Sequence, residues 1–215
     1  MLITQDIYSN NFFDNLKGLF KKENSVKKSK KSKSELVVVD TISNIYELTL
    51  SDNIYAPLLQ AKAKNVITTK QQKLVDKLTS NGYSATTMRD GEVVKITIVT
   101  DKLFAPNDTI LMDSASELIF PLVEYAKVDD YYKVMLAIHS DDTGSELYKS
   151  MICNARVDAI GSLFDGTKSL VSYAMSDTEP IFDNKSVKNR AANRRLEIYF
   201  VPYKVMIVKG EKGIL

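Results

Sequence analysis

An acid and a base fifteen residues apart, Asp141 and Arg156, are the strongest candidates for binding chemistry in this sequence. Asp141 follows a predicted strand, and Arg156 lies within the apolar stripe of the predicted helix that comes next. A carboxylate accepts strong hydrogen bonds from a cation, and a guanidinium offers its planar fork to a carboxylate. Because an unpaired buried charge is costly, Arg156 must leave the core along the helix flank or meet an anion.

The same residues allow a purely structural interpretation. In this alternative Asp141 caps its turn and Arg156 bridges to a nearby acid. The neighbouring His139 and Cys153 favour structural roles, as a strand-end histidine and a small core or helix-flank thiol. The residues alone leave both interpretations of Asp141 and Arg156 open.

The composition gives little support for a catalytic or a metal-binding function. The chain has 215 residues with one cysteine, one histidine and eight glycines, so we expect no disulfide within the chain, no ligand cluster for a metal and no phosphate loop. The paired acids Asp129-Asp130 and Asp141-Asp142 are adjacent, and in extended structure they face opposite ways and cannot act on one bond. We therefore predict no catalytic residues, no cofactor and no bound metal.

The elements that must position Asp141 and Arg156 alternate along the second half of the chain. Ser145 is a plausible N-cap for the long helix that carries Arg156. This alternation predicts an α/β fold, an α+β sandwich with helices packed on one side of one sheet. Helices are predicted over residues 113 to 127, 145 to 164 and 186 to 194, and strands over 132 to 138, 169 to 175 and 196 to 201.

The long helix has an apolar stripe at three-and-four spacing, which predicts the side chains that it buries. The predicted stripe consists of Tyr148, Met151, Ile152, Ala155, Ala159, Ile160, Leu163 and Phe164.

The first half of the chain divides by composition into an arm, residues 1 to 35, and an accessory region, residues 36 to 90. In the accessory region a helix is predicted over residues 68 to 80, with Thr69 as N-cap and Asn81-Gly82 as its end. Asp90-Gly91 predicts a hairpin turn before an alternating strand. The third domain, residues 91 to 215, ends in a strand, KVMIV at 204 to 208, which either completes the sheet or pairs with a partner.

The arm carries a net charge of +4, whereas the rest of the chain carries −2. An amphipathic helix is predicted over residues 10 to 22, followed by a lysine-rich linker. Such an arm either keeps the protein in solution or contacts an anionic membrane or envelope complex. Nucleic acid is not an expected partner, because the lysine run has no interleaved aromatic residues and no arginine. No signal peptide and no stretch long enough to span a bilayer is visible.

Four motifs in order resemble the OmpA C-terminal-like domain, which is also found in Pal-type lipoproteins and flagellar stator proteins. The family pattern has GHTDxxG, NxxLSxxRA, PxxDN and RAxNRRVE. Its counterparts here are IHSDDTG at 138 to 144, KSMICNARV at 149 to 157, PIFDN at 180 to 184 and RAANRRLE at 190 to 197. The segment LFAPND, at 103 to 108, resembles the family's opening motif, and residues 66 to 108 loosely resemble OmpA-like proteins of the Bacteroides group.

The resemblance implies a βαβαβαβ fold with a mixed sheet, and non-catalytic binding of the peptidoglycan stem peptide through diaminopimelate. It assigns Asp141 to the ligand's ammonium and Arg156 to its carboxylate, with Asn107 and Arg194 bordering the same pocket. It also implies that Asn193 braces the turn before the last strand.

The family's location implies the periplasm or outer membrane, in the cell envelope. Ile138, Lys149 and Cys153 depart from the family pattern at a glycine, an asparagine and a serine. Lys149 would add a cation to a pocket that must accept an ammonium, or would engage a ligand carboxylate. The alternative function is a structural or assembly protein of an envelope complex that keeps the fold without binding the ligand.

Overall fold

The computed structural model describes residues 33–38, 61–128, 132–167, 169–202 and 204–209. The predicted N-terminal helix and lysine-rich linker lie outside these residues. The strands are β1 (Lys33–Val38), β2 (Ser84–Met88), β3 (Val93–Val99), β4 (Tyr132–His139), β5 (Leu170–Ser176), β6 (Arg195–Pro202) and β7 (Lys204–Lys209). The helices are α1 (Ala61–Ser80), α2 (Ala115–Val128), α3 (Glu146–Leu163) and α4 (Val187–Asn193), with a 3-10 turn at Thr100–Lys102.

The central sheet has five strands in the order β2-β3-β6-β4-β5. Only β4 and β5 of this sheet run parallel, and α3 connects them as a crossover helix. The other neighbouring pairs are antiparallel. The sheet is therefore mixed, which confirms the predicted α+β fold class.

The two faces of this sheet are covered differently. The main core packs α1, α2 and α3 against one face, around buried residues such as Leu78, Leu122, Ile160 and Ile198. The opposite face carries a smaller hydrophobic cluster. Among the described residues, all its buried members lie in strands. The prediction that the helices pack on one side of the sheet is confirmed for these residues. No helix in them is long and apolar enough to span a membrane.

The C-terminal strand does not join the central sheet. Instead, β7 pairs antiparallel with β1 in a separate two-stranded sheet, with Lys33 opposite Lys209 and Val38 opposite Lys204. The strand predicted at 204 to 208 is confirmed, and its partner lies within the chain.

The accessory region contributes to the same core and sheet as the residues that follow it. Helix α1 begins at Ala61, so the prediction that Thr69 caps it is wrong. Residues 61 to 68 contain no glycine or proline that would stop the helix from extending toward the N-terminus. The predicted end at Gly82 is confirmed, and Gly82 adopts a φ of 84°. Because α1 packs in the main core and β2 pairs with β3, the folded unit includes residues before position 91.

Helix α3 buries a different face from the predicted one near its N-terminus. Tyr148 and Met151 are 41% and 62% exposed, whereas Lys149 and Cys153 are buried. The predicted burial of Ile160 and Phe164 is confirmed. Cys153 packs in the main core, whereas the inner position of Lys149 is occupied by a charged side chain because its ammonium bonds to Glu146 and Asp177. A rule that places apolar residues inside cannot anticipate this.

A buried ionic cluster lies on the sheet face opposite the helices. Glu197 accepts hydrogen bonds from Arg195 at 2.9 Å and from Tyr199 at 2.5 Å, and it pairs with Lys95 at 2.5 Å. The Nε2 atom of His139 lies 3.3 Å from the same carboxylate. Burial opposes ionisation of this acid, but the contacts with its partners outweigh burial and hold the pKa of Glu197 well below its usual value.

The depressed pKa of Glu197 makes folding stability depend on pH. The ionised carboxylate stabilises the fold above its unfolded pKa of about 4.3, and this contribution is lost as the pH falls toward the folded pKa. We expect Glu197→Gln to lower the free energy of unfolding at neutral pH. It should also reduce the loss of stability between about pH 5 and about pH 2, measured by urea denaturation. The control is Asp158→Asn, which changes an exposed acid. The prediction would be contradicted if Glu197→Gln lost as much free energy of unfolding as the wild type when the pH is lowered over this range.

Candidate functional site

A cavity of about 430 Å³ opens beside the end of β4 and the N-terminal half of α3. The segment after the 3-10 turn and the start of β6 complete its walls. All four residues assigned to ligand binding by the resemblance line this one cavity, although their roles as ligands stay predictions. The lining residues are Asp101, Phe104, Pro106, Asn107, Ser140, Asp141, Thr143, Tyr148, Lys149, Ile152, Arg156, Arg190 and Arg194.

Asp141 stands two residues after β4 and is only 6% exposed. Its Oδ1 accepts a hydrogen bond from the backbone N–H of Thr143 at 2.9 Å, so the carboxylate does cap its turn. Its Oδ2 accepts a bond of 2.6 Å from Arg194. Burial opposes ionisation, but these bonds outweigh it and lower the pKa of Asp141, so the group is a carboxylate at neutral pH.

Arg194 joins the two acids of the cavity. Its Nε and Nη2 donate to the two carboxylate oxygens of Asp101 at 2.9 and 2.5 Å, and its Nη1 donates to Asp141. The bonds to Asp101, together with those to Asp141, raise the pKa of Arg194 above its usual value. The 3-10 turn, the end of β4 and the start of β6 are thus tied by one side chain.

Arg156 faces the cavity without an acidic partner among the described residues. It is 9% exposed, and its Nε and Nη2 donate to the backbone carbonyls of Asp108 at 2.8 Å and Ala105 at 3.3 Å. Its guanidinium lies 4.9 Å from the ring centre of Phe104. Burial, with the nearby positive charge of Arg194, lowers the pKa of Arg156. The structural alternative, an Arg156 bridge to an acid, is therefore not seen in this part of the chain.

Asn107 is held across the cavity by a tyrosine that the sequence analysis placed in the core. The hydroxyl of Tyr148 donates to Oδ1 of Asn107 at 2.8 Å. Gly144 has a φ of 96°, and a Cβ there would lie 2.8 Å from the Tyr148 ring, so the glycine lets the ring settle against the backbone. This hydrogen bond joins α3 to the segment that receives the guanidinium of Arg156.

Lys149 contributes to the cavity wall while its charge is neutralised elsewhere. The ammonium donates to Glu146 at 2.8 Å and to Asp177, and neither acid lines the cavity. The bond to Asp177, followed by that to Glu146, raises the pKa of Lys149. The ammonium of Lys149 is therefore held by two acids outside the lining of the cavity.

Comparison with known proteins identifies the fold. No family model matches the chain, and no curated protein matches it. Among solved structures, a MotB-like protein of Desulfovibrio vulgaris is 20% identical, with a TM-score of 0.57, over 65% of this chain and 98% of the other. The cell wall anchor of the T6SS of Pseudomonas aeruginosa is 24% identical, with a TM-score of 0.50, over 61% of this chain and 95% of the other. This chain has the OmpA/MotB-type fold.

In this OmpA/MotB-type fold, Asn193 couples two of the motifs noted in the sequence. Its Oδ1 accepts from the backbone N–H groups of Ile181 and Phe182, both at 3.0 Å. Its Nδ2 donates to the carbonyl of Phe182 and to the side chain of Asn184, both at 2.8 Å. The side chain is fully buried and holds the PIFDN segment beside α4. Asn193, at the end of α4, therefore ties the PIFDN segment to the residues just before β6.

Asp101, Tyr148 and Arg190 line the cavity but were not predicted as site residues. Asp101 precedes the LFAPND segment without any pattern of its own. Tyr148 was assigned to the buried stripe because of its apolar ring. Arg190 opens the RAANRRLE motif, so the motif itself was the available signal for it.

We expect the Tyr148–Asn107 hydrogen bond to couple α3 to the opposite cavity wall. In a double-mutant cycle on the free energy of unfolding, Tyr148→Phe and Asn107→Ala should show an interaction energy of about 0.5–1.5 kcal/mol, because each change removes the same bond. Tyr148→Phe paired with Asn189→Ala is the control and should be additive. Additivity in the Tyr148–Asn107 cycle as well would rule out the coupling.

Proposed function

We propose that this protein binds the peptidoglycan stem peptide through diaminopimelate, without cutting it, and so anchors a cell-envelope structure to the cell wall. The main support for the proposal is that Asp141 and Arg156 line the same cavity. Among the described residues, Arg156 bonds to backbone carbonyls and forms no ion pair with an acid. A buried guanidinium that forms no ion pair favours an anionic ligand.

The geometry suits both charged ends of a diaminopimelate arm. The carboxylate of Asp141 accepts hydrogen bonds from Thr143 and Arg194, and two carboxylate oxygens have about four lone-pair sites, so acceptor capacity is left for an ammonium. Arg156 uses two of its five N–H groups on carbonyls, so three remain for a carboxylate. Asn107 accepts the Tyr148 hydroxyl through Oδ1 and keeps its amide N–H groups for the ligand.

The comparisons support the anchoring part of the proposal at the level of fold. One structural neighbour is described as a cell wall anchor and another as MotB-like, and the four sequence motifs fall in the same fold. Proteins with the same fold can bind different ligands, so the choice of ligand is supported by the charged side chains that line the cavity. The function places the folded domain in the cell envelope, facing the peptidoglycan.

The alternative, an assembly protein that keeps the fold without the ligand, predicts a cavity filled by the Lys149 ammonium. The ammonium instead bonds to Glu146 and Asp177 outside the lining. The cavity is therefore left open to a ligand, which favours binding over this alternative.

Sedimentation with purified, insoluble peptidoglycan tests the proposal. The wild type should sediment with the peptidoglycan, and Asp141→Ala or Arg156→Ala should each weaken binding about ten- to a hundredfold, because each removes a charge-assisted hydrogen bond of about 1.5–3 kcal/mol. Arg156→Lys should not restore binding, since an ammonium lacks the planar fork of a guanidinium.

Asp158→Ala is the matched control, because it removes an exposed carboxylate of α3 that does not line the cavity. It should sediment as the wild type does. A wild type that stays in the supernatant would refute the proposal, and so would undiminished sedimentation of both Asp141→Ala and Arg156→Ala.

A further inference from the structure

Basic side chains outnumber acidic ones in the lining of the cavity. Four basic and two acidic side chains line it. Both acids, Asp101 and Asp141, are bonded to Arg194, and the Lys149 ammonium is paired with acids outside the lining. Two guanidinium groups are left without an acidic partner among the described residues.

These two groups are Arg156 and Arg190. Arg156 is the residue that the proposed function assigns to the carboxylate of diaminopimelate. Arg190 lies in the last turn of α4, and its Nη1 donates to the carbonyl of Asn184 at 2.7 Å, which is the one hydrogen bond of this side chain to the described residues. Four of its five N–H groups are left for a ligand.

We propose that Arg190 binds a second carboxylate of the ligand, so that the cavity selects stem peptides carrying two carboxylates over those carrying one. This inference rests on the proposed function, because it assumes the stem peptide as the ligand. Arg156 holds the carboxylate of the diaminopimelate arm, and Arg190 holds another carboxylate of the same peptide. A guanidinium in a partly enclosed site binds a carboxylate more strongly than the neutral amide of the same shape, since only the carboxylate brings a compensating charge.

A stem tetrapeptide of L-alanine, γ-linked D-glutamate, meso-diaminopimelate and D-alanine offers two sources for this second carboxylate. One is the α-carboxylate of the glutamate residue, and the other is the terminal carboxylate of D-alanine. Both present the same chemistry to Arg190, and amidation removes either one separately while leaving the size of the peptide almost unchanged.

Isothermal titration calorimetry with three synthetic tetrapeptides tests the inference. The three are the unmodified peptide, the peptide amidated at glutamate and the peptide amidated at the terminal alanine. For the wild type, one amidation should weaken binding about tenfold or more. For Arg190→Gln, the same amidation should have no effect, and the affinity should match that of the wild type for the amidated peptide.

Lys188→Gln is the matched control, because it removes one exposed positive charge from the same helix outside the cavity. It should discriminate between the peptides as the wild type does. The retained affinity of Arg190→Gln for the amidated peptide also shows that the variant is folded.

Each other result has a defined meaning. If the wild type binds all three peptides equally, the second-carboxylate inference is overturned and the proposed function stands. If Arg190→Gln discriminates between the unmodified and amidated peptides as strongly as the wild type, Arg190 does not bind the second carboxylate, and the inference is again overturned. If the wild type binds none of the peptides, both the proposed function and the inference fail.

Discussion

The arrangement of the cavity depends on the ion pairs of Arg194. One guanidinium bonds to Asp101 through two atoms and to Asp141 through a third, and it thereby joins the 3-10 turn, the end of β4 and the start of β6. Exposed ion pairs contribute little to stability, and Asp101 is 48% exposed. Asp141 is nearly buried, so without Arg194 it would stand as an uncompensated charge, which is costly. The main effect of Arg194 is therefore to compensate the charge of Asp141 and hold it in place, while the backbone N–H of Thr143 contributes most to the lowered pKa of that carboxyl.

This pairing also determines the electrostatic character of the cavity. Both acids of the lining bond to Arg194 and neither bonds to Arg156 or Arg190, so these two guanidinium groups are left beside the open volume. The charge of Lys149 is likewise compensated by other residues, because its ammonium is paired with Glu146 and Asp177 outside the lining of the cavity.

Much of the fold was predictable because local sequence signals agreed with the tertiary structure. The strands β4, β5 and β6 and the helix α3 were predicted to within about two residues, since alternating and helical periods repeat clearly there. The start of α1 was not, because no residue near Thr69 forces a helix to begin. The buried face of α3 was misjudged at Tyr148 and Met151, because Lys149 occupies an inner position there, where its ammonium bonds to Glu146 and Asp177.

By itself, the sequence determined the order of the elements and the identity of the candidate ligand residues, because the four motifs have characteristic residue types and spacing. Only the tertiary structure decided which charges neutralise one another. Asp101 and Arg194 are 93 positions apart, and Lys149 and Asp177 are 28 apart, so no local pattern reveals these pairs. The net charge that a ligand meets depends on those long-range contacts, since a charge acts on the ligand only to the extent that its own partners leave it uncompensated.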